Sequence, residues 1–139
     1  MDEPLCGQSD WFAISQEQVN QFADVTCDHQ YLHVDQERAA NTIFGGTIVH
    51  GFYYLSLIPH LMLDELFPKL GDVTVLNYGV NQLRFLTPVP VGGEVRLNWR
   101  VVSEENKGDG RLLVVEVVMD LKGGKKPALV AEWLLYIVK

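Results

Sequence analysis

Hydrophobic residues are spaced in two different ways along the chain, and the change falls near Gly71. Before this glycine, apolar side chains recur every three or four positions, which is the period of a helix with one buried face. The segment Ser15–Gln18 has the form of a capping box, and it predicts a helix that ends at about Val25. Asp35 can cap a second short helix over residues 36–43.

The longest helical pattern covers residues 47–66. Its apolar side chains form two stripes that together surround most of the helix, so we expect it to be buried on most sides. Pro59 lacks a backbone N–H, and we expect it to bend this helix. The stripes are formed by Ile48, Phe52, Leu55, Pro59, Met62 and Leu66, and by Val49, Tyr53, Leu57 and Leu61.

After Gly71 the spacing becomes that of β-strands, with short, polar, glycine-rich turns between the later ones. A long buried helix with an antiparallel meander predicts an α+β fold, in which a five-stranded sheet curves around a long central helix. We expect one domain over residues 1–139. The predicted strands cover residues 73–86 (bent or bulged at Gly79), 95–101, 111–121 and 128–138, with a short fifth strand over 11–14.

An open sheet of this kind leaves edge strands whose backbone N–H and C=O groups lack partners. Pairing of two such edges between copies of the chain removes this liability, so we expect a homodimer.

Composition and charge limit the classes of function. The apolar stretch over residues 52–67 contains Pro59, His60 and Asp64, which argues against a membrane span. The N-terminus is acidic and shows no signal-peptide pattern, so we expect a cytoplasmic location. The net charge is −7, and residues 1–37 contain no Lys or Arg, which disfavours nucleic-acid binding. The candidate cations for an anionic ligand, which could equally be solvated surface residues, are Arg84, Arg96, Arg100, Lys122, Lys125 and Lys126.

Titratable side chains are concentrated in residues 24–35. Within this segment, residues 26–35 show no regular period and are predicted to form a loop. Asp28 and His33 could simply cap a turn and pack against the second helix. His29 and His33 have the spacing of a zinc-binding pair, but no Glu follows His29, so we expect no metal. Cys27 could act as a nucleophile, although an adjacent residue rarely provides a well-aligned base.

A second notable run, Phe44–Gly51, precedes and opens the predicted long helix. The backbone N–H groups at a helix start could stabilise a carbonyl oxygen that gains negative charge, and Gly51 would let a ligand approach the backbone closely. The glycines could also serve only to permit a tight turn.

Together, the two runs resemble the MaoC-like hot-dog family, which contains (R)-specific enoyl-CoA hydratases and 3-hydroxyacyl dehydratases. The segment Asp28–His33 most resembles the nodulation-protein-N-like branch. Cys27, Gln30 and Tyr31 depart from the usual hydratase motif, which has Gly, Asn and Pro at these positions. The resemblance rests on Phe22, Thr26, Asp28, Leu32, His33, Asp35, Ala39, Phe44, Gly45, Ile48, His50 and Gly51, and farther on Tyr78, Gly79, Leu83, Arg84, Phe85, Pro88, Val89 and Gly92.

The resemblance implies a hot-dog fold and a hydration without a cofactor. Asp28 and His33 would hold one water over C3 of a trans-2-enoyl thioester, and the Gly51 N–H would stabilise the thioester oxygen. The product would be an (R)-3-hydroxyacyl thioester carried by CoA or an acyl-carrier protein. The residues expected to bind the substrate are Phe22, Tyr31, His50, Phe52, Tyr53 and Arg84.

Two other functions stay open at this level. A hot-dog thioesterase would cleave the thioester bond. A non-catalytic partner subunit would bind the acyl thioester without changing it.

Overall fold

The computed structural model describes residues 5–138, and these form an antiparallel sheet with short helices. The sheet has six strands in the order β1-β4-β5-β6-β3, and β2 pairs separately with β4. The strands are β1 (Cys6–Gln8), β2 (Phe12–Ala13), β3 (Thr74–Phe85), β4 (Glu94–Lys107), β5 (Gly110–Leu121) and β6 (Leu129–Val138). The helices are α1 (Gln16–Thr26), α2 (Tyr31–Val34), α3 (Gln36–Ala40), α4 (Gly51–Ser56) and α5 (Ile58–Met62), followed by a 3₁₀ turn at Phe67–Leu70.

The predicted number of five strands is wrong by one, because β1 was not predicted. Its three residues are too few to show alternation, and its position is set by long-range pairing of Cys6 with Arg100 on β4. The other predicted strands are confirmed, with β4 longer than expected. Since alternate residues of β4 are buried, Val95, Leu97 and Trp99 contribute to the core.

The long helix predicted over residues 47–66 is instead two short helices, α4 and α5, separated at Leu57. Pro59 has no N–H to donate to the carbonyl of Leu55, so the helical bonding pattern is interrupted there. Residues 47–50 are extended, and Val49 N–H donates to Val89 O at 2.8 Å. The predicted burial holds for Met62 and Leu66 of one stripe and for Val49 and Leu57 of the other, whereas Phe52 is 66% exposed. The core face also includes Tyr54 and Ile58, which belong to neither predicted stripe.

The predicted loop over residues 26–35 contains the single helical turn α2. One turn is too short to produce a period in the sequence. The cap at Asp35 is confirmed, since its carboxylate accepts a hydrogen bond from Arg38 N–H at 3.0 Å. The helix that it caps, α3, ends at Ala40 and not at residue 43.

Strand β3 is irregular at two places. The register with β6 shifts between Asn77 and Gly79, which confirms the predicted bulge, and again between Asn81 and Arg84. Gln82 lies in the second irregularity with φ 53°. β3 is an edge of the sheet and pairs only with β6 within the described residues.

Over residues 5–138, no helix has the length and apolar character needed to cross a bilayer.

Candidate active site

A cavity of about 530 Å³ opens where the end of α1, the start of α4 and the end of β3 meet. Its wall is mainly apolar, with a few polar side chains at one place. The lining residues are Phe22, Thr26, Asp28, His33, Ile48, Val49, His50, Gly51, Phe52, Tyr54, Phe85 and Pro88.

Asp28 reaches this cavity because helix α1 ends sharply just before it. Cys27 has a left-handed backbone with φ 62°, and Asp28 N–H donates to Ala23 O at 3.1 Å. This turn reverses the chain direction at the cavity rim. The Asp28 side chain stays half exposed, so its carboxylate is accessible to a ligand or to water.

His33 lies on α2 and is almost buried. Its Nδ1 lies 2.8 Å from the carbonyl oxygen of Ile48, which can only accept, so Nδ1 carries the proton and donates. When the ring carries a single proton, this hydrogen bond leaves the lone pair on Nε2. Ile48 N–H in turn donates to Leu32 O at 2.9 Å, so α2 and residues 47–50 hold each other in place.

Gln16 adds a second connection between these segments. Its side chain donates to His33 O at 2.8 Å and accepts from the Thr47 hydroxyl at 2.7 Å. Sequence reasoning did not identify Gln16 or Thr47, because neither residue type nor spacing distinguishes a bridging amide from a surface one.

His50 contacts both Asp28 and His33. Its Nε2 donates to the backbone carbonyl of Asp28 at 3.0 Å. Its ring stacks on that of His33, with centroids 3.8 Å apart and planes at 23°. Burial lowers the pKa of His50 below its usual value, chiefly by desolvation, so the ring is neutral.

Gly51 is the first residue of α4, so its N–H lies outside the hydrogen bonds of that helix. A Cβ atom at this position would lie 2.9–3.1 Å from ring atoms of Phe85. The position therefore requires glycine unless that ring moves. Gly51 borders the same cavity as Asp28 and His33.

A family model described as MaoC like domain matches residues 4–122. The chain belongs to the MaoC-like family. Among its curated relatives, 3-hydroxyacyl-thioester dehydratase Z of Mycobacterium tuberculosis is 47% identical over 133 residues, which is 95% of this chain and 87% of that protein. Nodulation protein N of Rhizobium leguminosarum bv. viciae is 39% identical, over 94% of this chain and 83% of the relative.

The MaoC-like chain also resembles solved structures. An (R)-hydratase from A. caviae, involved in PHA biosynthesis, superposes with a TM-score of 0.75 at 26% identity, covering 97% of this chain and 96% of the other. The hot-dog architecture expected from the sequence is confirmed by this likeness, with the central helix divided as described above.

The left-handed backbone at Cys27 bears on the MaoC-like motif. The usual residue at this position is glycine, and φ 62° is a conformation that glycine adopts without strain. Cys27 keeps the conformation although it departs from the motif. The geometry beside Asp28 is thus the one that a glycine would favour.

The cavity brings together six of the residues predicted for the site: Asp28, His33, Gly51, Phe22, His50 and Phe52. The other three lie outside its lining. The Tyr31 ring stacks under the Arg38 guanidinium at 3.8 Å, and the Tyr53 ring packs beside that of Phe22 at 5.1 Å. Arg84 donates to Leu83 O.

The site also includes residues that sequence reasoning did not assign to it. Tyr54 and Phe85 pack edge to face at 5.7 Å and form part of the apolar wall. The sequence analysis placed Tyr54 in neither apolar stripe, although it lies on the same helix as Gly51. Phe85 lies on a distant strand, and only the fold places it beside Gly51.

Three side chains of the site, those of Asp28, His33 and His50, are of types that bind metal ions. Asp28, His33 and His50 each offer one ligand atom, all within 4.8 Å of one another. However, an imidazole binds a metal in its ring plane at about 2.0–2.1 Å. Since the two rings are stacked, one ion cannot lie in both planes unless a ring rotates. His29 is not part of this group, and its Nε2 instead bonds to Asp24 at 2.8 Å.

The candidate cations lie elsewhere, and three of them are paired. Arg96 contacts Asp120, Arg100 contacts Glu116 and Lys122 contacts Glu94, each at 3.3 Å. Lys125 and Lys126 lie in the turn between β5 and β6 and border a separate, polar cavity with Arg96 and Lys122.

Proposed function

We propose that this MaoC-like protein catalyses the reversible hydration of trans-2-enoyl thioesters to (R)-3-hydroxyacyl thioesters. The observation that carries the proposal is the placement of Asp28 and His33 at one cavity that is otherwise mainly apolar. The name of the relative that is 47% identical, a 3-hydroxyacyl-thioester dehydratase, supports the same reaction. The thioester is carried by CoA or by an acyl-carrier protein.

In this proposal, Asp28 and His33 orient the reacting water. The Asp28 carboxylate accepts one hydrogen bond from it, and the lone pair on His33 Nε2 accepts the other. As the water oxygen forms a bond to C3, one proton passes to this pair of side chains. The pair then returns a proton to C2, so the water has been added across the double bond and no other reactant is needed.

Charge that develops during the addition moves onto the thioester oxygen. Gly51 borders the cavity and its N–H, at the first position of α4, has no partner within its own helix, so this N–H is the proposed donor to that oxygen. The lack of a side chain at residue 51 allows the carbonyl to approach closely.

The apolar wall is proposed to hold the acyl chain. Phe22, Phe52 and Tyr54 line the cavity together with Phe85. Phe52 is two-thirds exposed, so the cavity opens to the surface beside it. Burial of hydrocarbon against these rings provides binding energy that does not depend on the head group.

We further propose that the protein is a homodimer joined at β3. This strand is an edge of the sheet, and Leu76, Tyr78 and Val80 on it keep 39–49% of their surface exposed. Pairing with β3 of a second copy would satisfy the edge and cover these side chains. The cytoplasmic location and the single domain stay predictions from the sequence.

The test of the reaction is the loss of enone absorbance when crotonyl-CoA and longer analogues are added. We expect Asp28→Asn and His33→Ala each to lower turnover roughly 10²–10⁴-fold, which is typical for positioned acid–base groups. Because the two residues act on one water, the double variant should be little worse than the poorer single variant.

A matched control is Asp24→Asn. Asp24 is three-quarters exposed and bonds to His29 outside the cavity, so this variant should keep normal turnover. Release of free thiol without loss of the enone would favour a thioesterase. Binding with neither change would favour a non-catalytic subunit. Folded Asp28 and His33 variants with near-normal hydration would remove both residues from the mechanism.

A further inference from the structure

His50 is more deeply buried than the two proposed acid–base residues, Asp28 and His33. Only 3% of its surface is exposed, against 9% for His33 and about half of the Asp28 side chain. Its ring is enclosed by His33 on one side and by Phe22, whose centroid lies 4.9 Å away. Little of the ring is therefore available to a ligand in the cavity.

The polar contact of His50 is made with the protein. Nε2 donates to the backbone carbonyl of Asp28 at 3.0 Å, while the Asp28 carboxylate oxygen is 3.9 Å away and beyond hydrogen-bond distance. This bond joins the start of α4 to the turn that carries Asp28. It holds the backbone of Asp28, so the carboxylate can rotate while its Cα position is kept.

The stacking contact acts on the other proposed acid–base group. With centroids 3.8 Å apart and an angle of 23°, the His50 ring covers one face of His33. The single hydrogen bond from His33 Nδ1 to Ile48 O still allows the ring to tilt about its Cβ–Cγ bond. The stacked His50 ring limits this tilt and so helps to fix the direction of Nε2.

The charge of His50 matters for the same reason. The titratable groups that act on it are His33, Asp28 and His29. Desolvation keeps its pKa low, so His50 is neutral and adds no positive charge beside His33. A neutral neighbour allows His33 to take up a proton during turnover.

From these contacts we infer that His50 is a positioning residue, which holds Asp28 through its backbone and His33 through its ring. This inference rests on the proposed function and changes the role predicted for His50 from binding the substrate to orienting the two groups that act on it.

Two variants separate the hydrogen bond from the ring. His50→Phe keeps a stacked ring but loses the donor, and His50→Gln places an amide N–H near the position of Nε2. We expect His50→Phe to lower kcat at least tenfold with KM changed less than threefold. His50→Gln should recover at least part of the lost kcat.

A double variant tests whether His50 acts through Asp28. If it does, His50→Phe should lower kcat little further in an Asp28→Asn background. If the two residues act independently, the two fold-losses in kcat should multiply. The matched control is His60→Phe on α5. His60 packs against Phe12 and lies outside the active-site cavity, so the same substitution there should leave kcat and KM unchanged.

Several outcomes would overturn the inference. A higher KM with normal kcat would make His50 a substrate contact, and a lower melting temperature with normal kcat would make it purely structural. If the losses in kcat multiply in the double variant, His50 does not act through Asp28.

A measurement on the unaltered protein is independent of turnover and of whether the variants fold. Nitrogen NMR of the four histidines should show His33 as the Nδ1–H tautomer. His50 should be the Nε2–H tautomer when neutral, and it should take up a proton only below the pH at which an ordinary histidine does, because burial lowers its pKa. Protonation of His50 at the ordinary pH or above it, or the opposite tautomer, would contradict the inference. Failure to hydrate any enoyl thioester would instead count against the proposed function alone.

Discussion

At the scale of single residues, the site depends on backbone conformations as much as on side chains. Cys27 lies in the left-handed region with φ 62°, and the next residue is Asp28. A residue with a Cβ atom in this conformation is strained by roughly 1–2 kcal/mol. The chain thus keeps the turn that presents Asp28 while tolerating strain at the residue before it.

Cys27→Gly should relieve this strain. Since glycine also loses more conformational entropy on folding, by roughly 0.5–1 kcal/mol, we expect the free energy of unfolding to rise by up to about 1 kcal/mol. Urea denaturation measures this change. The matched substitution Cys6→Gly, in strand β1, should lower stability. A loss of stability for Cys27→Gly would show that contacts of the Cys27 side chain stabilise the fold by more than the backbone strain destabilises it.

Tyr54, in the wall of the cavity, predicts a pH dependence of stability. Burial raises its pKa from 10 to about 12. The unfolded chain therefore releases this proton first, and the free energy of unfolding should fall as pH rises from 10 towards 12. The slope from this residue is roughly 1.4 kcal/mol per pH unit at most. Denaturation of the wild type and Tyr54→Phe across this range isolates the effect, because the variant lacks the group. Parallel curves would contradict the prediction.

At the scale of secondary-structure elements, local capping signals predicted the starts of α1 and α3. The capping box at the start of α1 is complete: Gln18 N–H donates to the Ser15 hydroxyl at 3.2 Å, and Ser15 N–H donates to the Gln18 side chain at 2.9 Å. The partners are three residues apart, so the sequence contains all that the motif requires.

Ser15→Ala should remove this cap and lower the free energy of unfolding by about 1 kcal/mol. Ser56→Ala is a suitable control, because the Ser56 hydroxyl only donates to Phe52 O within α4 and its loss should change stability by less than about 0.5 kcal/mol. Equal effects in urea denaturation would mean that the cap of α1 contributes nothing specific.

At the scale of the whole molecule, the proposed pairing of two copies takes place at β3. Its exposed apolar residues lie on an edge strand, which is a combination that soluble proteins normally cover. The negative charge of the chain does not prevent association there, because residues 74–83 contain no charged side chain.

We expect light scattering at micromolar concentration to give twice the mass of the chain. Val80→Glu should shift the protein towards monomer, because it places a charge in the proposed interface. Val102→Glu is the control, since Val102 is similarly exposed but lies on β4. A monomeric wild type, or equal effects of both variants, would count against pairing through β3.

Features that depend on near neighbours along the chain could be predicted from the sequence alone. Period and capping predicted α1, the start of α3 and four long strands, and Gly79 indicated the bulge in β3. The spacing of Asp28, His33 and Gly51 carried the resemblance to the MaoC-like family, which the family match confirms.

Tertiary structure decided what depends on contacts between distant segments. Residues 47–50 have a helical pattern, yet they are extended because Val49 pairs with Val89. Strand β1 forms because its backbone pairs with that of β4. Three contacts of the site likewise join positions at least 17 residues apart. They are the stacking of His50 on His33, the hydrogen bond of Gln16 to His33 and the close approach of Phe85 to Gly51. Local spacing cannot predict such contacts, because their energy depends on surfaces that meet only after the chain has folded.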